Sequence, residues 1–187
     1  MRVIAGSRRH LTLKTVPGKN TRPTQDRIKE TLFNILQTRI TGTRFLDLFA
    51  GSGGIGIEAL SRGADFAVFV DNSRDAVKVI EDNLHHTNFE EQSLVFSKDI
   101  KAALRSIEKL EPFDIVFLDP PYYEEYERDI LEYLSDSSII TNDTIIIVEA
   151  DLHTKFDYLE EIGLKMTRCK EYKTNMHVFI QKICDKE

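Results

Sequence analysis

The stretch from Arg44 to Glu58 constrains the fold more than any other part of the chain. It begins with a mostly apolar run, passes through a turn with glycines at 51, 53 and 54, and then takes up the apolar spacing of a helix. Glycine lets a ligand approach the backbone closely, and the N-terminus of a helix offers unpaired N–H groups and a partial positive charge. This stretch therefore predicts a site for a nucleotide-like ligand that follows a buried strand.

Strand-like and helix-like segments alternate along the rest of the chain. Strands are predicted near residues 44–49, 66–70, 93–97, 113–118, 143–149, 164–171 and 175–181. Helices are predicted near residues 54–62, 74–86, 100–110, 124–134 and 153–162. This alternation is typical of a Rossmann-like α/β fold, with a mostly parallel seven-stranded sheet and helices on both faces. Because only a short turn separates the last two strands, we expect them to form an antiparallel hairpin.

Residues 1–42 are predicted to form a small extension, and residues 43–187 the main domain. The extension reads as a short β-hairpin around Gly6–His10, followed by a helix from Thr24, its predicted N-cap, to about Thr38. Residues 1–44 contain ten of the 25 Lys and Arg residues but only two of the 31 Asp and Glu residues, within a chain of net charge −6. A basic arm on an acidic body indicates a polyanionic partner.

The composition and the first residues indicate the cellular compartment in which the protein acts. The two cysteines match no zinc-binding spacing, so we expect neither a metal nor a disulfide. The basic first residues carry no apolar segment of the signal-peptide kind, and the longest aliphatic run, Ile145–Val148, is too short to span a bilayer. We expect a cytoplasmic monomer that does not contact a membrane.

Two cofactors fit the glycine-rich turn when it is taken alone. Gly51–Gly56 matches G-x-G-x-x-G, and Asp71 stands about twenty positions on, where an acidic residue can hold a ribose diol of either NAD or S-adenosylmethionine. Asp47, just before the glycines, could face an ammonium group but would repel a pyrophosphate. Together with Asp119-Pro-Pro-Tyr122, which follows another apolar run, Asp47 favours S-adenosylmethionine.

Several segments resemble one family of methyltransferases. Residues 47–53 (DLFAGSG) are similar to motif I of the class I S-adenosylmethionine-dependent methyltransferases, and residues 119–122 (DPPY) resemble the motif of enzymes that methylate exocyclic amines of nucleobases. Residues 22–36 (RPTQDRIKETLFNIL) resemble the bacterial 16S rRNA guanine-N2 methyltransferases, which modify guanine 966 of small-subunit rRNA. Residues 3–6 and 58–64 match the same family. His10 departs from it, because family members commonly have glycine there.

The resemblance implies a set of cofactor-binding residues. Asp47 is expected to meet the ammonium group, Asp71 the ribose diol and Asp99 the adenine amine, with Ile100 packed on the adenine ring. Asp99 could instead be a helix N-cap, and Asp71 part of a strand-end turn. The full predicted set is Asp47, Phe49, Ala50, Gly51, Ser52, Gly53, Gly56, Asp71, Asn72, Ser73, Asp99 and Ile100.

The predicted catalytic residues are Asp119, Pro120, Pro121 and Tyr122. An exocyclic amine is a poor nucleophile because its lone pair is delocalised into the ring. The Asp119 carboxylate and the Pro120 carbonyl can accept its two N–H groups and favour a more tetrahedral nitrogen, while Pro121 stiffens the loop and Tyr122 stacks on an extruded base. The alternative is an ordinary turn after a strand.

The expected reaction is methyl transfer to guanine N2 in 16S rRNA, in the small subunit or an assembly intermediate, with S-adenosylhomocysteine as product. The predicted RNA contacts are Arg2, Arg8, Arg9, Lys14, Arg22 and Arg27. A DNA adenine-N6 methyltransferase is the alternative, although no region is left for a separate DNA-recognition domain. An NAD-dependent oxidoreductase fits less well because of Asp47 and the Asp-Pro-Pro-Tyr motif. A catalytically silent RNA-binding protein fits less well because Asp119 and the glycine turn are intact.

Overall fold

A computed structural model describes residues 1–16, 23–121 and 126–183, with the side chains of residues 23–25 left out. The predicted site residues Arg22 and Tyr122 therefore lie outside the described residues. The chain divides into two compact units, Met1–Ala103 and Leu104–Glu187. The predicted division into an extension of residues 1–42 and a domain of residues 43–187 stays a prediction.

Helices and strands alternate along the described chain as expected. The helices are α1 (Pro23–Ile35), α2 (Gly54–Ser61), α3 (Arg74–Thr87), α4 (Ile100–Ile107) and α5 (Tyr126–Asp136). The strands are β1 (Arg44–Leu48), β2 (Phe66–Asp71), β3 (Ser93–Ser97), β4 (Phe113–Leu118), β5 (Ile140–Asp151), β6 (Leu164–Glu171) and β7 (Asn175–Lys182). Short 3-10 helices cover Glu90–Gln92 and Glu160–Ile162.

The strands form a seven-stranded sheet in the order β3-β2-β1-β4-β5-β7-β6. In the first unit β2 pairs in parallel with both β1 and β3. In the second unit β4 and β5 are parallel, whereas β7 runs antiparallel to both β5 and β6. The predicted sheet, mostly parallel with a C-terminal antiparallel hairpin, is confirmed.

Strands β1 and β2 of the first unit and β4 and β7 of the second are buried because they are mostly apolar, whereas β3 is partly exposed and β6 is largely exposed. In the first unit Phe45, Leu46 and Val68 are fully buried, and in the second Val116 and Ile147 are as well. Strands covered on both faces have this composition, without the alternation of a half-exposed sheet. No helix in the described ranges is both long and apolar enough to cross a membrane.

Two details of the predicted secondary structure are wrong. Residues 153–162 form turns and the short 3-10 helix Glu160–Ile162 in place of an α-helix. Phe156, Tyr158 and Leu159 are nevertheless buried, at a spacing that no single helical face could present. Helix α1 begins at Pro23, so Thr24 lies inside the helix and is not its N-cap. Proline suits that first position because its missing N–H would lack a helical partner anyway.

Residues 1–16 pair with one another as predicted, and within this described stretch they form no regular strands. A single antiparallel bridge joins Arg2 and Thr12, and the N–H of Val3 donates to the Leu11 carbonyl over 2.9 Å. His10, which stands where family members commonly have glycine, has a left-handed φ of 73°. This conformation explains why glycine is the usual residue at that position.

Candidate cofactor and methyl-acceptor sites

The turn after β1 contains two glycines in left-handed backbone conformations. Gly51 and Gly53 have φ of 58° and 76°, and Gly53 donates its N–H to the Ala50 carbonyl over 2.8 Å. Gly53 is the N-cap residue of α2 and provides no side-chain cap. Helix α2 therefore begins without a side-chain cap, and an anionic group could accept hydrogen bonds from its first N–H groups.

Open space next to the turn fits the predicted cofactor. A Cβ added at Gly51 would meet no described atom within 4 Å, whereas one at Gly56 would overlap the Phe69 ring. Gly51 thus exposes its backbone to a ligand, and Gly56 lets α2 pack closely on β2. The methionine carboxylate of S-adenosylmethionine matches such a surface.

Asp47 is buried at the carboxyl end of β1, with 1% of its surface exposed. Its Oδ2 accepts the N–H of Gly56 over 2.9 Å, which links the strand to α2. Burial, together with the nearby charge of Asp71, raises the pKa of the Asp47 carboxyl to about 7. A cofactor ammonium would favour its ionised form, and this predicted contact stays a prediction.

Asp71 joins the two loops that follow β1 and β2. Its Oδ2 accepts the N–H of Gly51 and its Oδ1 accepts the N–H of Ser73, each over 2.9 Å. Ser73 in turn caps α3, because its hydroxyl accepts the N–H of Ala76 over 3.3 Å. The carboxylate is half-buried and held in one orientation, and it retains acceptor capacity for a ribose diol.

Asp99 precedes α4, and its Oδ1 accepts the N–H groups of Lys101 and Ala102 over 3.0 and 3.4 Å. Asp99 is therefore the N-cap of α4, which was the alternative role considered from the sequence. Ile100 beside it is buried. Because a carboxylate has about four acceptor positions, capping leaves the predicted adenine contact possible, and that contact is untested.

The Asp-Pro-Pro segment lies in the second unit, directly after β4. Leu118, the last residue of β4, pairs with Val148 of β5, so Asp119 follows one member of this pair and Glu149 follows the other. Asp119 is exposed and Pro120 is buried. Pro120 and Pro121 line a cavity of about 570 Å³, which we call the acceptor cavity. Its wall also includes Glu127, Glu149, Asp151, Lys155, Asp157 and Tyr158.

The predicted RNA-contacting cations fall into two groups. Arg2, Arg9 and Arg27 line one cavity of the first unit, with Asp26 Oδ2 lying 3.3 Å from Arg2 Nε. Arg8 and Lys14 form the other group, and each contacts another residue of this chain. Arg8 Nε donates to the Thr87 carbonyl over 2.6 Å, and Lys14 Nζ lies 2.9 Å from Asp82 Oδ2.

A buried carboxylate that sequence reasoning missed anchors the N-terminal segment. Glu58 on α2 is fully buried and accepts the N–H groups of Ile4 and Ala5 over 2.8 and 3.0 Å. It also pairs with Lys29 at 3.3 Å and with Arg62 at 2.7 Å. The signal in the sequence was a single charged residue inside the apolar helix GIGIEALS.

Asn83 of α3, likewise missed, connects the same segment to the glycine turn. Its Oδ1 accepts the N–H of Lys14 over 2.8 Å, and its Nδ2 donates to the carbonyls of Lys14 and Ser52 over 3.0 and 2.9 Å. The side chain is buried. The basic arm is thus attached to the loop that forms the predicted cofactor site.

This strand order, with a glycine turn after β1 and acidic residues after the first strands, defines a class I S-adenosylmethionine-dependent methyltransferase. Solved structures support the class. The chain matches the structure titled "Putative methyltransferase yhhF from Escherichia coli" with a TM-score of 0.84 and 30% identity, over 99% of each chain.

The chain belongs to the family whose model is described as "Conserved hypothetical protein 95", which matches residues 1–181. It is 40% identical over 174 residues to "Putative rRNA methyltransferase YlbH" of Bacillus subtilis, covering 92% of this chain and 94% of that protein. It is 33% identical over 152 residues to "Ribosomal RNA small subunit methyltransferase D" of Escherichia coli, covering 81% and 75%.

Proposed function

We propose that this protein transfers a methyl group from S-adenosylmethionine to the exocyclic N2 amine of a guanine in 16S rRNA, at the position that corresponds to guanine 966. The observation that carries this proposal is the Asp119-Pro120-Pro121 segment, which directly follows β4 and whose two prolines line the acceptor cavity. The names of the relatives support an rRNA substrate. We further propose that the protein acts in the cytoplasm, as a monomer, on the small subunit or an assembly intermediate.

The first unit provides the residues that would hold the cofactor. The N–H groups at the start of α2, which has no side-chain cap, would bind its carboxylate beside the glycine turn, and Asp47 would meet its ammonium group. Asp71 would bind the ribose diol with an orientation already set by Gly51 and Ser73. When bound, S-adenosylmethionine supplies an electrophilic methyl group on a sulfonium sulfur.

The second unit provides the residues that would activate the amine. The Asp119 carboxylate and the Pro120 carbonyl would each accept one N–H of guanine N2, which localises the nitrogen lone pair. The nitrogen would take up the methyl group that the cofactor supplies, with S-adenosylhomocysteine as the leaving group, and would then release one proton to water. The Asp119 carboxylate stabilises the positive charge that develops on nitrogen before the proton leaves.

The basic arm would bind the RNA backbone. Arg2, Arg9 and Arg27 lie together in one cavity, so we propose that this group contacts phosphates. Arg8 donates a hydrogen bond to Thr87 and Lys14 donates one to Asp82. These contacts support a role in holding the arm in place. Their direct contact with RNA, and that of Arg22, stay predictions.

The test is transfer of a radiolabelled methyl group to three acceptors. These are small subunits from Escherichia coli lacking ribosomal RNA small subunit methyltransferase D, naked 16S rRNA and duplex DNA. We expect label in the small subunits or in the naked rRNA, and the better of the two identifies the natural substrate. Label in DNA alone would contradict the proposed substrate and favour the adenine-N6 alternative.

A further inference from the structure

A chain of hydrogen bonds in the second unit ends at Glu149. Glu149 of β5 pairs in register with His177 of β7, and its Oε2 lies 3.2 Å from His177 Nε2. Its Oε1 accepts the side-chain N–H of Asn175 over 2.5 Å. His177 Nδ1 lies 3.2 Å from the Tyr172 hydroxyl. The carboxylate is therefore held from behind by two donors.

The direction of these hydrogen bonds follows from the chemistry of the groups. A carboxylate can only accept, so His177 Nε2 carries the proton that faces Glu149. In the neutral imidazole Nδ1 is then an acceptor for the Tyr172 O–H. Burial raises the pKa of Tyr172 to about 12, which keeps this hydroxyl protonated at neutral pH.

Packing fixes the imidazole in this arrangement. His177 is 1% exposed, and its ring meets those of Phe117 and Tyr172 edge-on, with centroid distances of 5.9 and 5.0 Å. A donor that cannot rotate holds its acceptor in one orientation. The two donors, His177 and Asn175, therefore hold the Glu149 carboxylate in a fixed orientation.

The other side of Glu149 faces the acceptor cavity. The side chain is 21% exposed and lines the cavity together with Pro120 and Pro121. The cavity volume of about 570 Å³ lies within the range of roughly 300–1,000 Å³ usual for small-molecule sites. Because a carboxylate has about four acceptor positions and two are used, Glu149 can still accept hydrogen bonds from a ligand.

We infer that Glu149 reads the Watson–Crick edge of the target base by accepting the N1–H of guanine. Guanine presents N1–H and N2–H donors side by side, which suit Glu149 on β5 and Asp119 just past the end of β4, because Leu118 and Val148, the residues before them, are paired. Adenine and cytosine present a ring nitrogen lone pair instead, which would face the Glu149 carboxylate without a proton between them. This assignment rests on the proposed function and makes Glu149 the residue that selects guanine.

The test compares two acceptors, one with and one without N1–H, which also differ at O6. A small-subunit rRNA is assembled by splint ligation with either guanosine or 2-aminopurine riboside at the position that the wild-type enzyme methylates. 2-Aminopurine keeps the exocyclic amine but lacks N1–H. The rate kcat/KM is measured for wild type, Glu149→Gln and Glu160→Gln. Glu160→Gln is the matched control because it makes the same substitution at an exposed glutamate of the same unit, in the 3-10 helix Glu160–Ile162.

We expect wild type and Glu160→Gln to prefer guanosine strongly. Glu149→Gln should lose about ten- to a hundredfold in kcat/KM on guanosine RNA, the usual effect of losing a hydrogen bond to a charged group. The loss in kcat/KM of Glu149→Gln on 2-aminopurine RNA should be smaller, because the glutamine amide can donate to the N1 lone pair. A purely structural role would lower both rates equally and leave the preference unchanged.

The outcomes separate this assignment from the proposed function. Equal wild-type rates on the two RNAs, or an unchanged preference in Glu149→Gln, would overturn the role of Glu149 alone. Equal wild-type rates overturn the role even where Glu149→Gln fails to fold, and a preference that narrows in Glu149→Gln assigns the discrimination to N1–H and not to O6. Absence of wild-type transfer to the guanosine RNA would overturn the proposed function, and the assignment of Glu149 with it.

Discussion

The carboxylate of Asp71 accepts the backbone N–H of Gly51 over 2.9 Å, across a sequence separation of 20 residues. This bond connects the end of β2 to the glycine turn that follows β1. The residue expected to hold the ribose diol therefore also shapes the loop expected to hold the cofactor carboxylate. Asp71 is thus a point at which a single change should affect two parts of cofactor binding.

Asp71→Ala should weaken binding of S-adenosylmethionine by at least about tenfold, because it removes both a charge-assisted contact and the bond to Gly51. Isothermal titration calorimetry on the purified protein measures this affinity. Asp75→Ala is the control, since Asp75 is an exposed acidic residue four positions along the chain. Equal affinities for wild type and Asp71→Ala would contradict the assignment of Asp71 to the cofactor site.

Asp47 should make stability depend on pH. Because its pKa is raised from 3.8 to about 7 in the folded protein, the folded state holds this proton more tightly than the unfolded state does. The stabilisation from this group is complete below about pH 4 and is lost as the pH rises through 7.

Asp47→Asn removes this titration while keeping an oxygen that can accept the Gly56 N–H. Without cofactor, we expect the variant to gain about 2 kcal/mol of unfolding free energy relative to wild type between pH 5 and pH 8. Urea denaturation at the two pH values measures the change, with exposed Asp75→Asn as control. A difference from wild type that is the same at both pH values would show that Asp47 is not the titrating group.

Patterns within short stretches of sequence predicted the sheet and the cofactor turn. Strands buried on both faces read as apolar runs, and the glycines at 51 and 53 occupy left-handed conformations that few other residues tolerate. Residues 153–162 were mispredicted because Phe156, Tyr158 and Leu159 are buried without forming a helix. Here tertiary packing decided the backbone conformation, and local pattern did not.

The anchors of the basic arm could not be predicted, because their partners are far apart in sequence. Glu58 binds the backbone of Ile4 from 54 positions away, and Asn83 binds that of Lys14 from 69 positions away. Nothing in the sequence around either residue specifies such a partner. Glu149 was missed for the same reason, since His177 and Asn175 come to it through the pairing of β5 with β7.

Glu58→Gln should release the arm and destabilise the protein. The change leaves Lys29 buried without its carboxylate, and breaking a buried ion pair in this way costs about 3–5 kcal/mol. Chemical denaturation measures the loss, and hydrogen exchange should show faster exchange at the amides of Ile4 and Ala5. Exposed Glu81→Gln serves as control. Unchanged protection of both amides would mean that Glu58 does not hold the arm.

The two groups of arm cations should respond differently to substitution. Arg9→Ala should weaken RNA binding and reduce the slope of log affinity against log salt concentration by about 1, as loss of one phosphate contact requires. Arg8→Ala should instead lower stability, because Arg8 Nε binds the Thr87 carbonyl and its guanidinium stacks on the Phe89 ring. Binding titrations at several salt concentrations and thermal denaturation separate the two effects. A reversed pattern would place Arg8, not Arg9, at the RNA.

The most direct test of the proposed reaction is identification of the methylated nucleoside. Undermethylated small subunits are treated with wild type, Asp119→Asn or exposed Asp136→Asn, and the digested rRNA is analysed by mass spectrometry. We expect N2-methylguanosine from wild type and Asp136→Asn. Asp119→Asn should form it at least about a hundredfold more slowly, with affinity for S-adenosylmethionine unchanged within a few-fold. N6-methyladenosine as the product, or an undiminished rate for Asp119→Asn, would contradict the proposed chemistry.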